Sequence, residues 1–374
     1  MFLNITLFEI KLGLRKISFW VYCLIFFAIA FLIVNVLGGA FTGVSAVMDN
    51  TKWNAPEAIA GFQASFTILG TVICAALFGN AAYRDYENKI HPLIFTKPIR
   101  PYSYFLGRFS GALFLNISIH IFFSLGLFIA FLMPYLDQDG IGPLRFDAFV
   151  QPFFIFVVPN IFFIGSLLFT LAILTKRMLP TYLGSVILLF GYLTAGNLMT
   201  DIETRWIASL LDPFGGEAVS ESTRYWTPAE KNQLLVPLDG WLLLNRIIWF
   251  SFGLIILCLG LNKFDFTHIT KTKKNKIEKK SLAEVNLAAI TLPRSVTVFG
   301  FSTYFLQLKS KVGTEIKRAF RDSYFLGIIG TAVGFLILNQ SAIGSFNGVK
   351  TLPVTYQVLS VLSGSFALFM LIII

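Results

Sequence analysis

Residues 17–38 read ISFWVYCLIFFAIAFLIVNVLG, without a single charged side chain. At about 1.5 Å rise per residue, such a run makes a helix long enough to cross a hydrocarbon core of about 30 Å. Comparable runs follow at 62–83, 109–134, 150–174, 179–198, 243–262, 323–340 and 354–374, eight in all. None holds Asp or Glu, and their only ionisable residues away from the ends are His120 and Arg246. Across 374 residues, 56% are hydrophobic and 13% charged, where a soluble domain carries about a quarter charged residues. The pattern predicts an all-α integral membrane protein and excludes the soluble enzyme classes.

The net charge of +10 resolves into a gradient across the membrane. With the N-terminus placed in the cytoplasm, the inner segments 1–16, 84–108, 175–178 and 263–321 hold 23 basic and 7 acidic residues, and the outer loops 39–61, 135–149 and 199–242 hold 5 and 12. The positive-inside rule therefore sets this orientation, and no nucleic-acid partner is implied. The N-terminus opens Met1-Phe2-Leu3, without the basic start and small-residue cleavage site of a signal peptide, and reads as a retained segment. Cys23, Cys74 and Cys258 all lie within apolar runs, which argues against a disulfide framework or zinc cluster.

Residues 1–16 carry Glu9, Lys11 and Arg15 among apolar positions and are too short and polar to span; they predict a helix lying along the inner interface. An internal repeat follows. Glu9-Ile10-Lys11 recurs as Glu315-Ile316-Lys317, Phe19 as Phe325, Phe31-Leu32-Ile33-Val34-Asn35 as Phe335-Leu336-Ile337-Leu338-Asn339, and Ser65-Phe66 as Ser365-Phe366. The shared order makes 301–374 the start of a second copy of 1–262, joined by the basic segment 263–300 with its lysine block at 271–280. On this reading the 374 residues are the N-terminal part of a longer polypeptide.

Catalytic signatures are sparse. The chain has no phosphate-binding loop of the Gly-x-x-x-x-Gly-Lys-Ser/Thr type and no His-Glu-x-x-His pair, so neither ATPase nor peptidase activity is expected of it, nor a cofactor or metal of its own. His120 reads as a neutral imidazole hydrogen-bonded to a neighbouring helix in preference to a proton relay, because no span offers an acidic partner. Arg246, near Trp241 and Trp249, reads as an anchor snorkelling to the outer interface.

The inner segment between the second and third runs mixes both charge signs with an apolar patch, Leu93-Ile94-Phe95, and ends on Pro98 and Pro101. A short amphipathic element joined rigidly to two spans suits docking in a groove of a soluble partner. From Glu87 to Arg108 it resembles the coupling-helix region of ABC-2 type permeases, the membrane subunits of ABC exporters. The residues that match are Glu87, Leu93, Thr96-Lys97-Pro98-Ile99, Arg100 and Tyr104-Phe105-Leu106-Gly107-Arg108. The resemblance extends over 1–262 and implies a six-span bundle with an interfacial N-terminal helix. It also implies coupling residues Glu87, Lys89, Leu93, Phe95, Thr96, Pro98 and Arg100, and a separate ATP-binding subunit that carries ATP and Mg.

Leu211-Asp212-Pro213-Phe214-Gly215-Gly216, Tyr225-Trp226-Thr227-Pro228-Ala229-Glu230-Lys231-Asn232 and Leu244-Asn245-Arg246 are similar to the outer region of a bacterial subgroup with two permease units followed by an M1-type aminopeptidase domain. That likeness implies the bacterial inner membrane and a second permease unit as partner. Read from its residues alone, the same loop predicts short interfacial helices, one broken at Pro213 and the Gly pair and one capped by Thr227 with Glu230 at the third position. Three functions follow as expectations: an ATP-driven permease, most simply an exporter; a membrane scaffold that anchors a peptidase; and an ion-coupled carrier, disfavoured by spans that lack carboxylates. The Phe-, Leu- and Ile-rich spans do not specify a substrate.

Overall fold

A computed structural model describes residues 1–40, 50–198, 205–266, 300–319 and 321, with isolated positions between 330 and 355. Among the described residues the fold is helical apart from a two-residue antiparallel pairing of Ser345–Phe346 with Val349–Lys350. Residues 1–264 contribute helices α1 (Phe2–Leu14), α2 (Ile17–Leu37), α3 (Pro56–Glu87), α4 (His91–Phe95), α5 (Pro101–Ala130), α6 (Asp147–Pro152), α7 (Val158–Thr175), α8 (Leu179–Leu198), α9 (Arg205–Leu211), α10 (Gly216–Ser222), α11 (Pro228–Gln233) and α12 (Gly240–Lys263). A π-helical turn over Phe153–Val157 joins α6 to α7, so that one helix runs unbroken from Asp147 to Thr175. A second unit, 265–330, contains α13 (Phe301–Ala319).

Among the described residues, five helices are long and apolar enough to cross a membrane: α2, α3, α5, the joined α6–α7 and α12. They match the expected crossings at 17–38, 62–83, 109–134, 150–174 and 243–262. The expected crossing at 179–198 is helical over its whole length as α8. The runs at 323–340 and 354–374, most of the 263–300 linker, and the repeat members from Phe325 onward lie outside the described residues.

Close packing organises the bundle. α2, α3 and α5 share a core in which Phe66 stacks on Phe123 at 3.7 Å and Phe26 meets Phe66 edge to face at 4.9 Å. The small-residue rule for membrane helices is visible where α5 crosses α2: a Cβ on Gly126 would stand 2.9 Å from that of Ala30, so only glycine lets the two backbones approach. On the outward faces, α2 exposes Leu24 and Leu32, and α12 exposes Ile247, Ile255 and Leu259. In water such stripes would be aggregation surfaces; against lipid tails they are the ordinary solvent face.

At about 1.5 Å per residue, α3 and α5 are about 48 and 45 Å long, well beyond a hydrocarbon core of about 30 Å. Their excess length carries Arg84, Asp85, Tyr104 and Arg108 past the apolar runs, and there the candidate site is built.

Candidate functional site

α3 stops because Lys89 takes a left-handed backbone (φ 55°). The amides of Asn88, Lys89 and Ile90 then turn back to the carbonyls of Arg84, Tyr86 and Asp85 at 3.0–3.1 Å. These bonds satisfy the helix's last acceptors and reverse the chain. α4 is barely more than one turn, with Pro92 in its first turn and the Thr96 hydroxyl donating to the Leu93 carbonyl at 3.0 Å. Arg100 is extended, as a residue before proline must be, and Pro101 starts α5 at its first position.

Six of the seven expected coupling residues, Glu87, Lys89, Leu93, Thr96, Pro98 and Arg100, are exposed on this short loop, with Leu93 at 65%. Phe95 is half-buried and turns inward. Its ring meets Tyr104 at 5.5 Å, Tyr86 at 6.0 Å and Phe264 at 6.3 Å. Phe264, just past the end of α12, stacks on Tyr104 at 5.8 Å, so this aromatic seat gathers the loop-side ends of three long helices. His91 Nδ1 lies 3.4 Å from the Asp85 carbonyl, and burial, then the charge of Lys176, hold its pKa below the usual imidazole value.

Beneath the loop lies a buried ion cluster. Glu9 of α1 accepts from Arg84 at 2.7 and 3.2 Å and from Arg108. Asp85 accepts from Arg108 and, at 2.7 Å, from the Tyr104 hydroxyl, with the Arg84 guanidinium 3.8 Å away. Glu9, Asp85 and Arg108 are almost fully buried. Two carboxylates meet two guanidiniums, so the cluster is neutral as a whole. Asp85 precedes the loop and Tyr104 and Arg108 follow it; their bonds close the loop at its base, and Glu9 ties α1 to the closure. Gly107 and Gly111 make room, since a Cβ on either would stand under 3.0 Å from Ile5 or Glu9. Each defined residue of Tyr-x-x-Gly-Arg thus has a job: a hydroxyl donor, a space for α1 and a bidentate cation.

Sequence reasoning missed Glu9, Arg84 and Asp85 as members of one site. The available signal was a lone acid on an otherwise apolar helix face and a charged pair at the end of a span.

A second polar network lies at the opposite end of the bundle. Arg246 donates to Asn160 Oδ1 at 2.6 Å, to Asn245 Oδ1 at 3.0 Å and to the Pro213 carbonyl at 3.3 Å, with its guanidinium over the Phe156 ring. Asn160 also bonds Thr67 and the Phe214 carbonyl, both at 2.9 Å. The buried Asp212 carboxylate caps the next turn by accepting from the amides of Phe214 and Glu217 at 2.8 and 2.9 Å. Burial pushes its carboxyl up, against the pull of those amides and of Arg246. The snorkelling anchor expected of Arg246 is therefore corrected: the side chain is buried because three polar partners, Asn160, Asn245 and the Pro213 carbonyl, await it inside. His120 is buried too, but its Nδ1 meets the Asn116 carbonyl of its own helix at 2.9 Å instead of a neighbouring one. The expected Thr227 capping box is present, with Glu230 Oε2 accepting from the Thr227 amide at 2.7 Å.

Among the described residues no group of His, Cys, Asp and Glu is arranged to hold a metal ion. No protein-family model and no curated protein matches the chain.

Proposed function

We propose that the chain is the membrane-spanning permease of an ATP-driven transporter, an exporter of the ABC-2 type, whose Asn88–Arg100 loop docks on a separate ATP-binding subunit. One observation carries the reading: a short, outwardly apolar turn stands on the clamped ends of two membrane-length helices, with Leu93 and Glu87 free and Phe95 locking it down. A loop built this way transmits a push, because the ion cluster and aromatic seat leave it little freedom to yield. ATP and Mg would be held by the partner, and this chain would supply the pathway. The charge gradient supports an inside N-terminus and a loop facing the cytoplasm; a bacterial inner membrane and a second permease unit complete the proposal.

The test is an ATP-hydrolysing subunit that co-purifies with the full chain and is lost when Glu87→Lys and Leu93→Asp are combined. Both side chains are exposed, so the thermal unfolding midpoint should stay unchanged while association falls about tenfold or more. Undiminished association, or a peptidase co-purifying without ATP hydrolysis, would overturn the reading in favour of a membrane scaffold.

A further inference from the structure

α13 has the strongest two-sidedness of the described helices. Phe301, Tyr304, Phe305, Leu308, Val312 and Ile316 recur at helical spacing, and each is exposed, from 46% at Val312 to 89% at Phe301. Lys309 and Lys311 fall about 70° and 90° to either side of the centre of that stripe, at 100° per residue. Lys317, Arg318 and Arg321 add cations on and just past the last turn. Against these five stands one acid, Glu315, one turn from both Lys311 and Arg318.

We propose that α13 lies on an anionic lipid surface, its rings in the headgroup–acyl boundary and its cations over the headgroups. Aromatic and aliphatic residues on one side, lysines at the edges with stems long enough to snorkel, and net positive charge are what such a surface selects. The lysine block at 271–280 adds charge of the same sign in the same unit. Five other described helices are long and apolar enough to cross a bilayer, so the surface is within reach of every copy.

A protein groove is the competing occupant, and comparison with α1 weighs against it. Under the repeat, Glu9 corresponds to Glu315, and α1 seats on α5 by bringing Ile5, Thr6 and Gly13 into close approach. The corresponding residues of α13 are Lys311, Val312 and Ala319. A lysine stands where α1 presses an isoleucine against Gly107.

The experiment uses the full chain with Cys258→Ser in lipid nanodiscs, Cys23 and Cys74 being buried. Spin labels are placed singly at Phe305→Cys and Ser310→Cys. With about one-third phosphatidylglycerol, the 305 label should be relaxed by oxygen and shielded from a water-soluble nickel chelate, and the 310 label the reverse. In purely zwitterionic nanodiscs the 305 label should become accessible to the chelate. Lys309→Gln and Lys311→Gln should each lower the bound-to-free ratio about fivefold. Chelate access at 305 in anionic nanodiscs would overturn the proposal, as would shielding of 305 from both reagents, which means a protein covers the stripe. Indifference of the 305 label to lipid charge would overturn the anionic preference.

Discussion

Glu9 sits where two arginines converge, and its worth lies in neutralising them. Removing it leaves Arg84 and Arg108 facing Asp85 alone, a buried excess of positive charge. Breaking a buried pair on one side typically costs about 3–5 kcal/mol. Glu9→Gln is therefore expected to destabilise the protein on that scale, while Glu9→Gln combined with Arg84→Gln, which restores neutrality around the Asp85–Arg108 pair, should cost less than Glu9→Gln alone. Denaturant unfolding in detergent micelles reads both; a double variant as damaged as the sum of the singles would show that charge balance is not what holds the site. None of this geometry was legible beforehand. Arg108 and Tyr104 were visible as parts of a motif, but one of the two acids that answer Arg108, Glu9, is 99 residues distant on another helix. A pairing across that separation is decided by packing, and sequence periodicity carries no record of it. Arg246 is a similar case. A cation beside tryptophans near the end of a span reads as an interfacial anchor, until the chain folds Asn160, Asn245 and the Asp212 turn around it.

At the scale of elements, the apolar middles of the spans were readable because apolar length acts locally, as was the Thr227 cap of α11, whereas α3 opens at Pro56, ahead of the expected run at 62–83. Contacts between elements were not. Gly107 and Gly111 are ordinary helix weaknesses by propensity, and an exposed Gly→Ala change would gain about 1 kcal/mol. Here the sign reverses. Gly111→Ala drives a methyl group into Glu9 and should cost about 1–3 kcal/mol by overpacking. It should also loosen α1 first, seen as faster amide exchange in Phe2–Leu14 than in α2. A stabilised protein with α1 exchange unchanged would mean that the α1–α5 contact is not as close as described.

Across the whole molecule the proposed orientation rests on the charge gradient, and it makes a prediction independent of any partner. Thr96 and Tyr225 are both exposed, Tyr225 at 83%, and they lie on segments assigned to opposite sides. With Cys258→Ser as background, Tyr225→Cys should react with a membrane-impermeant maleimide in intact cells, and Thr96→Cys only after permeabilisation. The opposite pattern would invert the protein and remove the loop from any cytoplasmic ATPase.

The wide turn at Phe153–Val157 has a consequence for how this molecule can be divided. A π turn holds one residue more than the helix around it needs, so everything before it is screwed about 100° out of step with everything after it. Pro152, Phe156 and Asn160 are all buried at a strict interval of four across the slip. Asp147–Pro152 and Val158–Thr175 are therefore two separately phased threads on one rod. In the first, Gln151 donates to the Val236 carbonyl at 2.9 Å; the second sets Asn160 in the arginine network. Deleting a single residue between 153 and 157 would return the turn to plain α-helix and swing one thread about 100° against the other.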